Sequence, residues 1–285
     1  MESRKAIWKQ ILVLVFVLFI SIVYTCICYL QSREAFQEEQ EEVGFIVTRC
    51  VRKALQNILY KECYEAIRRF HPDLKIIFID DNSDKEILEE YPMVNVEIIQ
   101  SEYPAAGEYL PYWYLLQRKM FKKAIFLQDS MILNARIPYE QVDDYKFIYE
   151  FPADRQEFNE VNTLINETSK PNELRELYNS NMWAGCWGST MVITSEFLQK
   201  VEETLEISRW SQIINTRNMR MGLEQSIGLA CIYTKGNSQG FSLYGNIHDM
   251  GTFKDPELKN RHSLEMYLAD KTRIKDNIIK IWNGR

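Results

Sequence analysis

The chain has 285 residues, 46% of them hydrophobic and 13% aromatic, which is enough for one large or two small domains with a sizeable core. Its formal net charge of −6 excludes a general nucleic-acid binder, whose surface would be basic. The sequence holds no low-complexity tract and no internal repeat.

Residues 1–10 are a short N-terminus carrying Arg4, Lys5 and Lys9. Residues 11–30, ILVLVFVLFISIVYTCICYL, have no charge and the length a helix needs to cross a bilayer. A core helix of that length would show a polar face, and this one has none. A cleaved signal peptide is the rival reading, but its apolar region is usually shorter and followed by small residues, whereas Tyr29, Leu30 and Gln31 stand here. Only Arg33 follows closely, amid Glu34, Glu38, Glu39, Glu41 and Glu42. The Lys/Arg bias predicts a cytosolic N-terminus and a body on the far side, a single-pass type II membrane protein. Residues 31–43 read as a polar stem, and 44–285 as the folded body.

The body opens with a strand over 44–48, GFIVT, and a helix over 49–70 with Val51, Leu55, Ile58, Leu59, Cys63 and Ile67 on one face. Pro72 ends it, and 74–79 is a strand buried on both faces. This β-α-β unit implies parallel strands and a right-handed crossover. The second strand stops at Asp80, Asp81 and the turn Asn82-Ser83-Asp84. Ligands of open α/β sheets bind beyond such strand ends. Carboxylates and hydroxyls there suit a nucleotide's base and ribose, while a solvated Asx turn needs no ligand. A helix over 84–91, capped by Ser83 or Asp84, and a strand over 94–99 follow. A helix over 107–121 carries Tyr109, Tyr112, Trp113 and Tyr114, read as packing residues. The strand over 123–127 again ends in a polar cluster, Gln128-Asp129-Ser130. Parallel strands would set Asp80, Asp81 and Asp129 in one cleft, where a divalent cation could join them to a diphosphate.

Beyond that point, 146–151 reads as a strand and 155–177 as helix with a break at Pro171. Residues 184–194, AGCWGSTMVIT, suggest a glycine-rich turn feeding a strand, after which Ser195 caps a helix. Two helical stretches surround Gly222, and a loop over 236–251 holds His248. The last twenty or so residues read as an amphipathic helix with Leu264, Tyr267, Leu268, Ile274, Ile278 and Ile279. Cys26 and Cys28 fall in the apolar span. Cys50, Cys63, Cys186 and Cys231 could form two disulfides in an oxidising lumen, with the pairing open. Asn166-Glu167-Thr168 is an N-glycosylation sequon that fits a lumenal body. His71 and His262 read as structural. Trp183 and Trp187, beside glycines, fit either sugar stacking or core packing.

In this order the elements resemble the GT-A nucleotide-sugar-dependent glycosyltransferases, in particular the family-2-like group. The resemblance rests on GFIVT and its helix, on IIFIDDNSDK, on AIFLQDS, and on GCWGSTMVIT followed by LEQSIG. It spans roughly residues 43–249. It implies an α/β, Rossmann-like GT-A fold with a mixed, mostly parallel sheet flanked by helices. Residues 44–134 would be the nucleotide-binding half and 135–285 the acceptor half. The implied activity is inverting transfer of a sugar from a nucleotide sugar, a UDP-sugar, to a glycan or protein acceptor in the Golgi or ER lumen. Asp81, with Asp80 and Ser83 nearby, would contact the nucleoside, and Thr48 would line its pocket. Asp129 and His248 would hold Mn2+ or Mg2+, and Glu224 would be the catalytic base. The departure is the metal motif, which has one carboxylate where the family has two. The alternative is a catalytically inactive, membrane-tethered binding or scaffolding domain of the same fold. A flavodoxin-like or nucleotidyl-transfer enzyme is disfavoured, since Thr48-Arg49-Cys50 stands where a glycine-rich phosphate loop would be.

Overall fold

The computed structural model describes residues 41–154, 157–236, 240–258 and 262–282. The apolar span at 11–30 and the stem up to residue 40 lie outside the described residues. Among the described residues, no helix is long and apolar enough to cross a membrane.

The core is a six-stranded sheet. Its strands are β1 (Glu41–Arg49), β2 (Lys75–Asp80), β3 (Val96–Gln100), β4 (Phe121–Gln128), β6 (Tyr145–Phe147) and β9 (Met191–Thr194), in the spatial order β3-β2-β1-β4-β9-β6. The first four are parallel; β9 runs antiparallel to β4, and β6 antiparallel to β9. The sheet is therefore mixed and mostly parallel. Successive side chains of a strand face opposite ways, and the sequence exploits this fully. Ile46, Ile77, Ala124 and Phe126 enter one core, while Phe45, Ile76, Phe78 and Ile125 enter the other. Register aligns them: Ile46 sits beside Ile77 and Phe126, and Phe45 beside Ile76 and Ile125.

On the Ile46 face lie α2 (Leu110–Arg118), α3 (Phe158–Asn166), α4 (Pro171–Ser180), α5 (Ser195–Leu205) and α6 (Arg217–Lys235). On the Phe45 face lies α1 (Gln56–Phe70) together with the C-terminal segment. That segment comprises α7 (Gly251–Lys254), α8 (Leu264–Ala269) and β10 (Ile278–Lys280), which pairs antiparallel with β5 (Met131–Leu133). A third ribbon joins β7 (Glu150–Pro152) to β8 (Ala184–Cys186).

Three elements differ from the sequence reading. The expected helix over 84–91 is a single turn, with Asp84 O accepting from Ile87 N and Leu88 N. The side chains of α1 claim the backbone that a helix would use: Asn57 donates to Ile87 O and accepts from Glu89 N, and the Tyr60 hydroxyl donates to Glu89 O. The expected strand over 146–151 splits into β6 and β7. The expected C-terminal helix covers only α8. Asp270 Oδ1 accepts from Thr272 N at 2.9 Å and from its hydroxyl at 2.7 Å, an Asx-type turn that competes with helix. Beyond it the isoleucines form β10. The helix expected over 49–70 begins only at Gln56, since Arg49 still belongs to β1, and β1 starts at Glu41, inside the expected stem. Elsewhere the boundaries shift by a few residues; α6 runs straight through Gly222, where an added Cβ would stand 2.7 Å from Glu160 Cβ. None of Cys50, Cys63, Cys186 and Cys231 is in a disulfide.

Candidate active site

The carboxyl ends of β1, β2 and β4 form one edge, tied together past the ends of the strands. Asp81 N donates to Arg49 O at 2.7 Å, and Asp129 N to Thr48 O at 3.0 Å. Thr48, Asp80, Asp81, Ser83 and Asp129 are all buried on this edge.

Most of the expected nucleoside contacts are engaged inside the protein. Asp80 Oδ2 accepts from Arg49 Nε at 2.8 Å and lies 2.6 Å from its Nη2; its Oδ1 accepts from Ser83 N at 2.7 Å. The Arg49 guanidinium also lies over the Tyr60 ring, 5.1 Å from its centroid. A buried arginine needs this pairing, so Asp80 holds Arg49 and the turn. The Ser83 hydroxyl accepts from Val51 N at 2.8 Å and pins the loop after β1. Asp81 accepts from Ala105 N at 2.6 Å and Gly107 N at 3.1 Å; burial pushes its pKa up, against those two donors. The loop it holds is also gripped by α6. Arg220 donates to Ala105 O at 2.9 Å and pairs with Glu108 at 2.9 Å. Gly107, at φ +48°, leaves no room for a Cβ, which would stand 2.4 Å from Arg220 Cδ. Thr48 Oγ1 faces Gly107 O at 3.5 Å.

The second group gathers at the end of β4. Asp129 Oδ2 accepts from Cys50 N at 3.1 Å. Gln128 Nε2 donates to Gly188 O at 3.0 Å. Gly188 sits in the left-handed region at φ +63°, and a Cβ there would stand 3.1 Å from Gln128 Nε2. Glu224 on α6 lies near the same turn. Burial pushes Glu224 up to about 8, helped by Glu108 and opposed by the Gly188 backbone and by Lys280. A carboxyl poised near neutral pH is suited to general acid–base work.

His248 is exposed, with its ring edge-on to Phe253 at 5.1 Å. No group of three His, Cys, Asp or Glu side chains placed to hold a metal ion occurs among the described residues. Trp183 is core, its Nε1 donating to Tyr178 O at 3.0 Å. Trp187 is half-buried, between Tyr149 and Phe253. His71 is buried and accepts from Ile137 N at 3.1 Å, the structural role expected of it.

Sequence reasoning missed Lys280. It ends β10, and its ammonium donates to Gln128 Oε1 and, at 2.6 Å, to Ser130 Oγ. No local pattern marks it, because its partners stand 150 and 152 residues away in the chain.

No protein-family model matches the chain, and no curated protein matches it in sequence. Among solved structures it is similar to the bifunctional glycosyltransferase WbbM in its apo form, at 12% identity and TM-score 0.43 over 86% of this chain and 46% of that one. It spans less than half the length of that protein. It is also similar to the mannosyltransferase Ktr4p from S. cerevisiae, at 10% identity and TM-score 0.36 over 68% of this chain and 65% of that one. Core-mannan synthase A from Aspergillus fumigatus, solved in a Mn/GDP form, aligns at 11% identity and TM-score 0.35, over 67% of this chain and 72% of that one. The solved structures named here are all glycosyltransferases.

Proposed function

We propose that the chain is a GT-A-like glycosyltransferase that moves a sugar from a nucleotide sugar to a glycan or protein acceptor. The observation that carries this reading is the gathering of Thr48, Asp80, Asp81 and Asp129 at the carboxyl ends of β1, β2 and β4, on one edge of the sheet. Nucleotide sugar would lie over the carboxyl ends of β1, β2 and β4, the usual ligand edge of such sheets. The donor implied by the family resemblance is a UDP-sugar. Glu224, as carboxylate, takes the proton of the acceptor hydroxyl. The acceptor oxygen forms the new bond to the anomeric carbon, the bond from that carbon to phosphate breaks, and its electron pair leaves on the nucleoside diphosphate. With one base and one displacement, the product is inverted.

The same reading includes the N-terminal region. Residues 11–30 anchor the protein as a type II membrane protein, 31–40 form a stem, and the body faces the ER or Golgi lumen. Residues 44–134 serve the donor, joined at the end of β4 by Lys280 from β10, and the rest of 135–285 serves the acceptor. The test is release of nucleoside diphosphate from a panel of nucleotide sugars by the full-length chain, with Glu224→Gln as control. Release by the wild type that survives this substitution unchanged removes Glu224 from the reaction. A non-catalytic, membrane-tethered binding domain is the second reading, favoured by the internal engagement of Asp80, Asp81 and Ser83. It predicts no release from any donor.

A further inference from the structure

The end of β4 already holds a cation of the protein's own. Lys280 reaches it from β10, and Ile281 N anchors that strand by donating to Ser130 O at 2.8 Å. The amide at position 128 suits this arrangement. Its oxygen accepts from Lys280 while its nitrogen donates to Gly188 O. A carboxylate there could take the first bond but not give the second.

A divalent cation in a phosphate site takes all-oxygen ligands, one or two carboxylates together with the substrate's phosphates and waters, and no neighbouring cation among them. The three motif side chains offer one carboxylate, an amide and a hydroxyl, and the last two face an ammonium. A dication placed against that ammonium would be repelled. The residues at this end of the sheet therefore do not fit Mn2+ or Mg2+.

We propose that Lys280 stands in place of the metal, its ammonium neutralising the diphosphate of the donor at the end of β4, so that donor binding needs no divalent cation. The proposal rests on the donor-site reading above. An ammonium serves phosphate as a point charge with three donors. An arriving diphosphate exchanges with Gln128 or Ser130 as its acceptor.

The test titrates UDP and GDP into the full-length chain in mild detergent, once with EDTA and once with Mn2+, by calorimetry. The expected result is binding of at least one of them in EDTA, with a Kd unchanged by Mn2+. Lys280→Met should weaken it about tenfold or more, by loss of charge-assisted hydrogen bonds, and Lys280→Arg should keep most of it. Wild-type binding that appears only with Mn2+ overturns the proposal and leaves the donor site standing. Binding in EDTA that Lys280→Met leaves unchanged, in a variant with wild-type melting temperature, overturns it as well. No binding in either condition, together with no turnover of any nucleotide sugar, overturns the donor-site reading and this proposal together. The wild-type comparison uses no variant, so a misfolded Lys280→Met does not rescue the idea.

Discussion

Glu224 shows how position alone can make a carboxyl chemically useful. Burial raises its pKa to about 8, so kcat/KM should climb as pH rises through 8, where the base loses its proton. Glu224→Gln should lower kcat by about 10²–10⁴-fold, and a pH–rate profile should lose that limb. Stability runs the other way. The folded state binds a proton that the unfolded chain releases near its ordinary carboxylate value, so the stabilising contribution is full below that value and is lost as pH rises through 8. Glu224→Gln should therefore melt above wild type at pH 9, with the gap closing towards pH 5. Asp80 is a different case. Removing it strands the buried Arg49 guanidinium and the Ser83 N–H, so Asp80→Ala should cost about 3–5 kcal/mol in urea unfolding. Asp129 could be picked out in the sequence because an apolar strand ending in a carboxylate is a local pattern, and Glu224 only through the family resemblance. Lys280 could not, because its partners lie 150 and 152 residues away.

At the scale of elements, the parallel strands were legible because a strand buried on both faces writes an unbroken apolar run, as KIIFID and KAIFL do. The missing helix over 84–91 was not, because Asn57 and Tyr60, far off in sequence, decide what its backbone does. The C-terminal segment misled for another reason. Its apolar residues fit helical spacing, yet the Asp270–Thr272 turn ends the helix and resets the period. The junction between β8 and β9 turns on Gly188, and Gly188→Ala should cost about 1–2 kcal/mol for its left-handed backbone. It should also push Gln128 aside, so activity should fall more than thermal stability. The α1–β2 junction carries its own pH dependence. Burial, with Arg136 beside it, lowers His71 to about 4. Unfolded chains take up the proton near pH 6.5, so stability contributed by neutral His71 is full above 6.5 and is lost as pH falls through 4. Replacing His71 with Gln should flatten the acid limb of a melting-temperature profile; an unchanged limb would assign it to other groups.

The described residues from 41 onward are built on one six-stranded sheet with a core on each face, and the second core is completed only by the C-terminal segment. Ile278, Ile279 and Ile281 are buried there. The Tyr149 hydroxyl clasps Ile278, donating to its oxygen and accepting from its nitrogen, each at 3.2 Å. Tyr149→Phe leaves that buried N–H unmatched and should cost about 1–3 kcal/mol. Native-state hydrogen exchange should find the Ile278 and Ile281 amides opening with the central strands. Early exchange there would mean that β10 detaches by itself. The distance along the chain between Lys280 and its partners also sets a schedule for synthesis. Gln128 and Ser130 leave the ribosome about 8–30 s before Lys280 at ordinary elongation rates. Through that interval the nascent protein carries the acidic end of β4 with its counter-charge still unmade. A chaperone or a stray cation in the compartment of synthesis meets this edge before the protein's own lysine does.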